Sequence, residues 1–168
     1  MSTMPVLAFV GVGANLEHPA VQVERGIEAL RELPQTELIA RSSLYASAPV
    51  DAPGPEYVNA VVALRTALDA TPLLHALHGI EARFGRQRTA RNAPRTLDLD
   101  LLLYGDLRSD DAALRLPHPR LHQRAFVLRP LLEIAPDLQA PGLGSLAQYL
   151  SEVQDQAIRR LEPCGTQR

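Results

Sequence analysis

Lysine is absent from this 168-residue sequence, so all 17 basic residues are arginines. A Schiff-base enzyme and a Walker-type phosphate loop both need a lysine amine and are excluded. Any bound anion must be held by guanidinium groups, backbone N–H groups or a metal. Cysteine is nearly absent too, with Cys164 alone, which rules out an internal disulfide and a Cys-rich zinc site and fits a reducing compartment. There is no segment of the ~20 apolar residues that a membrane span needs. The longest nearly uncharged stretch near the start, residues 4–16, has no basic segment before it, so no secretory signal is expected. An excess of positive charge is also missing: 17 basic against 19 acidic residues give −2, a poor balance for gripping a phosphate backbone. The expectation is a cytoplasmic monomer with no nucleic-acid or membrane partner.

What is present is ordinary globular material, 46% apolar and 21% charged, enough for one core and read as a single domain over residues 1–168. Residues 6–12 form a short β-branched run that stops at Gly11, Gly13 and Asn15, as a buried strand entering a turn does. Pro19 sits where a helix would begin, and Val23, Ile27 and Leu30 recur at helical spacing until Pro34. Residues 37–45 and 57–68 read as strands separated by a Pro/Gly segment over 48–55. Thr71-Pro72 opens a second helix with the stripe Leu73, Leu77, Ile80 and Phe84. Residues 96–104 read as a central strand with Leu97, Leu99, Leu101 and Leu103 on one face. The order β-α-β-β-α-β is that of a ferredoxin-like α+β fold, an antiparallel sheet with both helices on one face. Residues 125–134 and 145–161 are expected as C-terminal helical additions to the same domain.

The sharpest chemistry lies in Arg95-Thr96-Leu97-Asp98-Leu99-Asp100. Side chains at i and i+2 of a strand share a face, so Asp98 and Asp100 project together, opposite the leucines. Two adjacent carboxylates suit Mg²⁺, which takes one or two of them with phosphate oxygens and waters completing its octahedron. Just upstream, Arg83, Arg86, Arg88, Arg91 and Arg95 place five of the 17 arginines in 13 residues with no interleaved acid. A carboxylate pair can be a polar strand face and an arginine run a solvated loop. Side by side they divide the oxygens of a metal-bridged phosphate between them. Tyr57 and Asn59, two apart on one strand, could stack on and hydrogen-bond a planar heterocycle. From these residues alone, a two-metal phosphoryl or nucleotidyl transferase and a non-enzymatic ligand-binding module both stay open.

The residues that carry the chemistry resemble those of a known family. Arg95-Thr96-Leu97-Asp98-Leu99-Asp100, Leu116-Pro117-His118 and Arg124-x-Phe126 are its most specific part. Gly13-Ala14-Asn15-Leu16, Ser42-Ser43-x-Tyr45, Glu56-Tyr57-Val58-Asn59-Ala60 and Glu81 with Gly85-Arg86-x-Arg88 match in order. Over about residues 6–138 the chain resembles the 6-hydroxymethyl-7,8-dihydropterin pyrophosphokinases of folate biosynthesis. The resemblance implies transfer of the β,γ-pyrophosphate of ATP to a pterin alcohol, with release of AMP and two Mg²⁺ ions on a ferredoxin-like fold. It also implies roles: Asp98 and Asp100 as metal ligands; Arg86 and Arg95 on the transferring phosphates; Glu81, Arg88, Arg91, Leu101, His118 and Arg124 in the nucleotide site. Tyr57 and Phe126 would sandwich the pterin, and Asn59, with Ser47, Ala48, Val50 and Asp98, would complete its site. Ala14 stands where the family usually has serine, and Ser47-Ala48 where it has Thr-Pro.

Overall fold

The computed structural model describes residues 4–16, 18–47, 56–86 and 97–161. β1 (Val6–Ala14), α1 (Pro19–Arg31), β2 (Thr36–Arg41), β3 (Tyr45–Ser47), β4 (Tyr57–Thr66), α2 (Ala70–Glu81) and β5 (Asp98–Tyr104) form the first two thirds. A π-helical turn, Ala82–Arg86, continues α2. β6 (Ser109–Asp111) and β7 (Leu114–Leu116) form a hairpin, followed by α3 (Ala125–Ile134). β8 (Gln139–Ala140) and β9 (Gly144–Ser145) form a small ladder, and a 3₁₀ helix over Leu146–Val153 leads to β10 (Ile158–Arg160). The main sheet runs β10-β3-β4-β1-β5, with β2 also on β4, and the registered pairs are antiparallel. Among the described residues no helix is long and apolar enough to cross a membrane.

Strand parity decides which layer each residue joins. The even residues of β1, Ala8, Val10 and Val12, pack with Val23, Ile27 and Leu30 of α1 and Leu73, Leu77 and Ile80 of α2. Phe9, of odd parity, packs with Val61 and Ala63 of β4 and Leu128 and Leu131 of α3 on the opposite face. The sheet is therefore covered by α1 and α2 on one side and by α3 on the other.

Four sequence expectations change. β1 does not stop at its glycines but continues to Ala14, because both flanking strands supply backbone partners through Gly11 and Gly13. The leucines of β5 do not all share a face: the register slips between Phe9 and Val10, opposite an extra Leu102. That bulge keeps Leu97, Leu99 and Leu101 with the two helices and turns Leu103 toward α3. Residues 36–47 form two strands, β2 and β3, broken at Ser42–Leu44, where one was expected. Residues 145–161 are not one helix. Their apolar spacing suffices for a 3₁₀ helix, while residues 158–160 pair with β3 across the sheet, an edge contact that no local pattern announces.

Candidate active site

A cleft of about 630 Å³ opens on the α3 side of the sheet, beyond the part that α3 covers. Its floor is a gap in the side-chain layer. In register across β4, β1 and β5 lie Asn59, Gly13 and Asp98; one step along lie Val61, Gly11 and Asp100. Gly11 and Gly13, two residues apart on one face of the central strand, leave empty the space between Asn59 on one side and the two aspartates on the other. A Cβ on Gly13 would lie 2.7 Å from Asn59 Oδ1, whereas one on Gly11 would meet Leu102 Cδ1 at an ordinary 3.6 Å.

One wall is carried by β3 and β4. Ser47 and Asn59 are buried, and Asn59 Nδ2 donates to Ser47 Oγ at 3.3 Å. Tyr57, half-buried, pairs with Ser47 across the ladder. The facing wall is the first turn of α3, with Arg124 and half-buried Phe126, the guanidinium carbon 5.4 Å from the ring centroid. Arg120, Gln123 and Gln156 also line the cleft. The sequence reading missed these three and the two glycines, although glycines at period two in an otherwise β-branched strand were a usable signal.

On β5, Asp98 is half-buried and Asp100 exposed, both facing the cleft. The peptide between Asp98 and Leu99 is held from below, since Leu99 N–H donates to Glu81 Oε2 at 2.7 Å. Glu81, expected in a nucleotide site, is buried at the end of α2 and supports the carboxylate strand from the helix side. Leu101, expected there too, turns its side chain into the core cluster of α1 and α2. Ala14 lies in the same cluster, so the missing serine oxygen would not have faced the cleft. His118 follows the cis Leu116–Pro117 bond and lines a neighbouring cleft with Arg115 and His122. Its Nδ1 accepts from Arg120 N–H at 3.1 Å, which leaves Nε2 to carry the proton of the neutral ring. Burial lowers its pKa; the Asp100 charge acts in the opposite sense, and Arg124 and Arg120 lower it further. Ala48, Val50, Arg88, Arg91 and Arg95 lie outside the described residues, and Arg86 is described by its backbone alone.

The two walls are tied together away from the cleft. On α3, Glu133 accepts from Ser43 N–H at 3.0 Å, Ser43 Oγ at 2.9 Å and Tyr45 Oη at 2.7 Å, with Arg160 3.6 Å away. Burial would raise the Glu133 carboxyl, but those hydrogen bonds and the Arg160 guanidinium outweigh it and hold its pKa below the usual value. Burial, with the Glu133 carboxylate, pushes the Tyr45 phenol up to about 12. Because Glu133 is the depressed group, its stabilising effect is present above the unfolded carboxyl pKa and is lost as pH falls through the folded one. Glu133→Gln should therefore melt below the wild type at pH 7, and the two melting curves should converge as the pH falls through the depressed Glu133 pKa. A gap independent of pH would show that Glu133 acts by packing and not by charge.

The donor set accepts a divalent cation: two carboxylates project from one strand face into open space wide enough for phosphate oxygens and waters, the ligand mixture that Mg²⁺ prefers. Among the described residues no group of three or more His, Cys, Asp or Glu is arranged to hold a metal ion. A polyphosphate completing the ligand set is the natural fit.

Residues 9–136 match the model of the family described as 7,8-dihydro-6-hydroxymethylpterin-pyrophosphokinase (HPPK). A 2-amino-4-hydroxy-6-hydroxymethyldihydropteridine pyrophosphokinase of Pseudomonas aeruginosa is 44% identical over 154 residues, 91% of this chain and 95% of that protein. Its namesake from Haemophilus influenzae is 38% identical over 159 residues, 94% of this chain and 99% of that one. Among solved structures, a Plasmodium falciparum HPPK-DHPS superposes with a TM-score of 0.72 at 13% identity, over 91% of this chain and 45% of that longer chain. The match to the family model over most of the chain, and the identity to full-length relatives, place this chain in the 7,8-dihydro-6-hydroxymethylpterin-pyrophosphokinase family.

Proposed function

We propose that this chain transfers the β,γ-pyrophosphate of ATP to the hydroxymethyl oxygen of 6-hydroxymethyl-7,8-dihydropterin, giving AMP and the pterin diphosphate, a step of folate biosynthesis. The observation that carries the reading is the glycine-floored cleft, which Tyr57 and Phe126 line together with Asp98 and Asp100, and in which Asn59, Gly13 and Asp98 stand in register across three strands. In this reading the pterin lies between the two rings with its hydroxymethyl group toward the aspartates. We read the fold as a ferredoxin-like core with C-terminal additions, in a single domain that acts as a cytoplasmic monomer.

Asn59 and Ser47 hydrogen-bond the edge of the heterocycle, and the aromatic pair fixes its plane. Asp98 and Asp100 hold two Mg²⁺ ions, which when bound neutralise phosphate charge and lower the pKa of the attacking hydroxyl. Arg86 and Arg95 grip the transferring phosphates as bidentate forks, while Arg88, Arg91, Arg124 and His118 serve the nucleotide side. Neutral His118 offers its Nε2–H as a donor there. The proton of the attacking hydroxyl passes to Asp100 or to water. Orientation of two substrates in one cleft supplies much of the rate, because it turns a bimolecular encounter into an effectively unimolecular step.

The test is to incubate the protein with ATP, Mg²⁺ and the pterin alcohol and to separate the nucleotides. AMP that accumulates only when pterin is present supports the reading; ADP would make it a simple kinase, and free pyrophosphate a nucleotidyl transferase. Tyr57→Ala and Phe126→Ala should each weaken pterin binding by up to about tenfold, given ~0.5–1.5 kcal/mol per stacked pair beyond area burial, and leave ATP binding nearly unchanged. A parallel loss of both affinities, with a lower melting temperature, would mark either ring as structural.

A further inference from the structure

We propose that Gln156, in the segment between the 3₁₀ helix and β10, is a positioning residue that sets the aromatic wall of the cleft by capping the first turn of α3. The inference rests on the pyrophosphokinase reading. Helix N-termini leave their first N–H groups without intrahelical partners, and a side-chain oxygen normally supplies one. α3 has no such side chain of its own: its N-cap is Arg124, in an extended conformation, and makes no side-chain cap hydrogen bond. Instead Gln156 Oε1 accepts from Ala125 N–H at 2.8 Å, and Gln156 Nε2 donates to the Gln123 carbonyl at 2.9 Å. One amide thus brackets Arg124 on both sides and fixes the backbone from which Arg124 and Phe126 project into the cleft.

Gln156 can act as a fixed cap because its own backbone is anchored at both ends. Its N–H donates to the Val153 carbonyl at 3.0 Å, and Val153 is buried in the α3 layer. Two residues on, Ile158 pairs with Ser47, and Arg159 makes a bidentate pair with Glu56 at 3.0 and 3.1 Å, next to Tyr57. The segment therefore joins the Ser47–Tyr57 wall to the Arg124–Phe126 wall. Both polar ends of the Gln156 amide are engaged by backbone, which makes it a support for the cleft and not a substrate contact.

The test measures Kd for 6-hydroxymethylpterin by fluorescence, in the presence of a non-hydrolysable ATP analogue, for the wild type, Gln156→Leu and Gln156→Glu. Leucine keeps the bulk and removes both hydrogen bonds; glutamate keeps the acceptor for Ala125 N–H. Gln156→Leu should raise the pterin Kd about tenfold, the scale of one lost cap, and change the analogue's Kd by less than about threefold. Gln156→Glu should recover most of the loss. A pterin Kd in Gln156→Leu equal to that of the wild type, whatever its melting temperature, overturns the inference. If the leucine variant does not fold, Gln156→Ala and Gln156→Glu carry the same comparison, and equal pterin Kd values in these two variants would overturn it. The underlying reading fails separately, in the wild type alone, if no AMP forms with pterin present.

Discussion

Replacing Asp98 or Asp100 by alanine is expected to lower the single-turnover rate of AMP formation by about a thousandfold or more while the protein still folds. Both side chains face the cleft and neither belongs to either apolar cluster, so the layers that hold the sheet are untouched. What is lost is the negative charge that seats a divalent cation among phosphate oxygens. Metal stabilisation of transition-state charge amounts to several kcal/mol, and ~4 kcal/mol corresponds to about 10³ in rate. Asparagine at either site should rescue little, since a neutral amide keeps the shape and loses the charge. Rates across a Mg²⁺ titration, with melting curves beside them, make the check. A rate within tenfold of wild type at saturating Mg²⁺ would remove the aspartates from the chemistry.

The second large effect is expected from a single methyl group. Gly13→Ala should weaken pterin binding by between about ten- and a hundredfold, the range for one or two buried polar groups left without partners at ~1–3 kcal/mol each. The new Cβ would stand 2.7 Å from Asn59 Oδ1, closer than real Cβ contacts allow, so Asn59 must turn away. Its hydrogen bond to Ser47 goes with it. Gly11→Ala is the control, because the nearest atom to its Cβ is Leu102 Cδ1 at an ordinary 3.6 Å; it should cost about threefold or less. Titrations of pterin and of nucleotide into both variants decide the matter. Equal losses in the two would mean that the glycines act through strand stability and not through the Asn59 contact.

How much of this was legible in the sequence depends on the range of the forces involved. The carboxylate pair was legible because period-two alternation over 97–101 is local, and the cleft indeed receives both aspartates. The bulge at Leu102 was not, since 101–103 are all leucine and a run of one residue type carries no parity mark. Gly11 and Gly13 were visible, but glycine reads locally as a turn; only the strands on either side show that the same residues keep a cleft floor empty. The helix expected at 125–134 forms with those bounds. The strand at 158–160 depends on pairing with residues 45–47, more than a hundred positions away. Gln156 carries no sequence signal, because a glutamine that caps a distant helix looks like any exposed polar residue.

The central claim is that a diphosphate moves as one unit from ATP onto a pterin alcohol in the glycine-floored cleft. Phosphorus-31 NMR of one reaction mixture containing ATP, Mg²⁺ and 6-hydroxymethyl-7,8-dihydropterin tests it most directly. The claim predicts that ATP signals give way to one AMP resonance and the two coupled resonances of a diphosphate ester, in equal amounts, with no inorganic phosphate or pyrophosphate. ADP with a single new monophosphate ester, or ATP unchanged with pterin present, would contradict it.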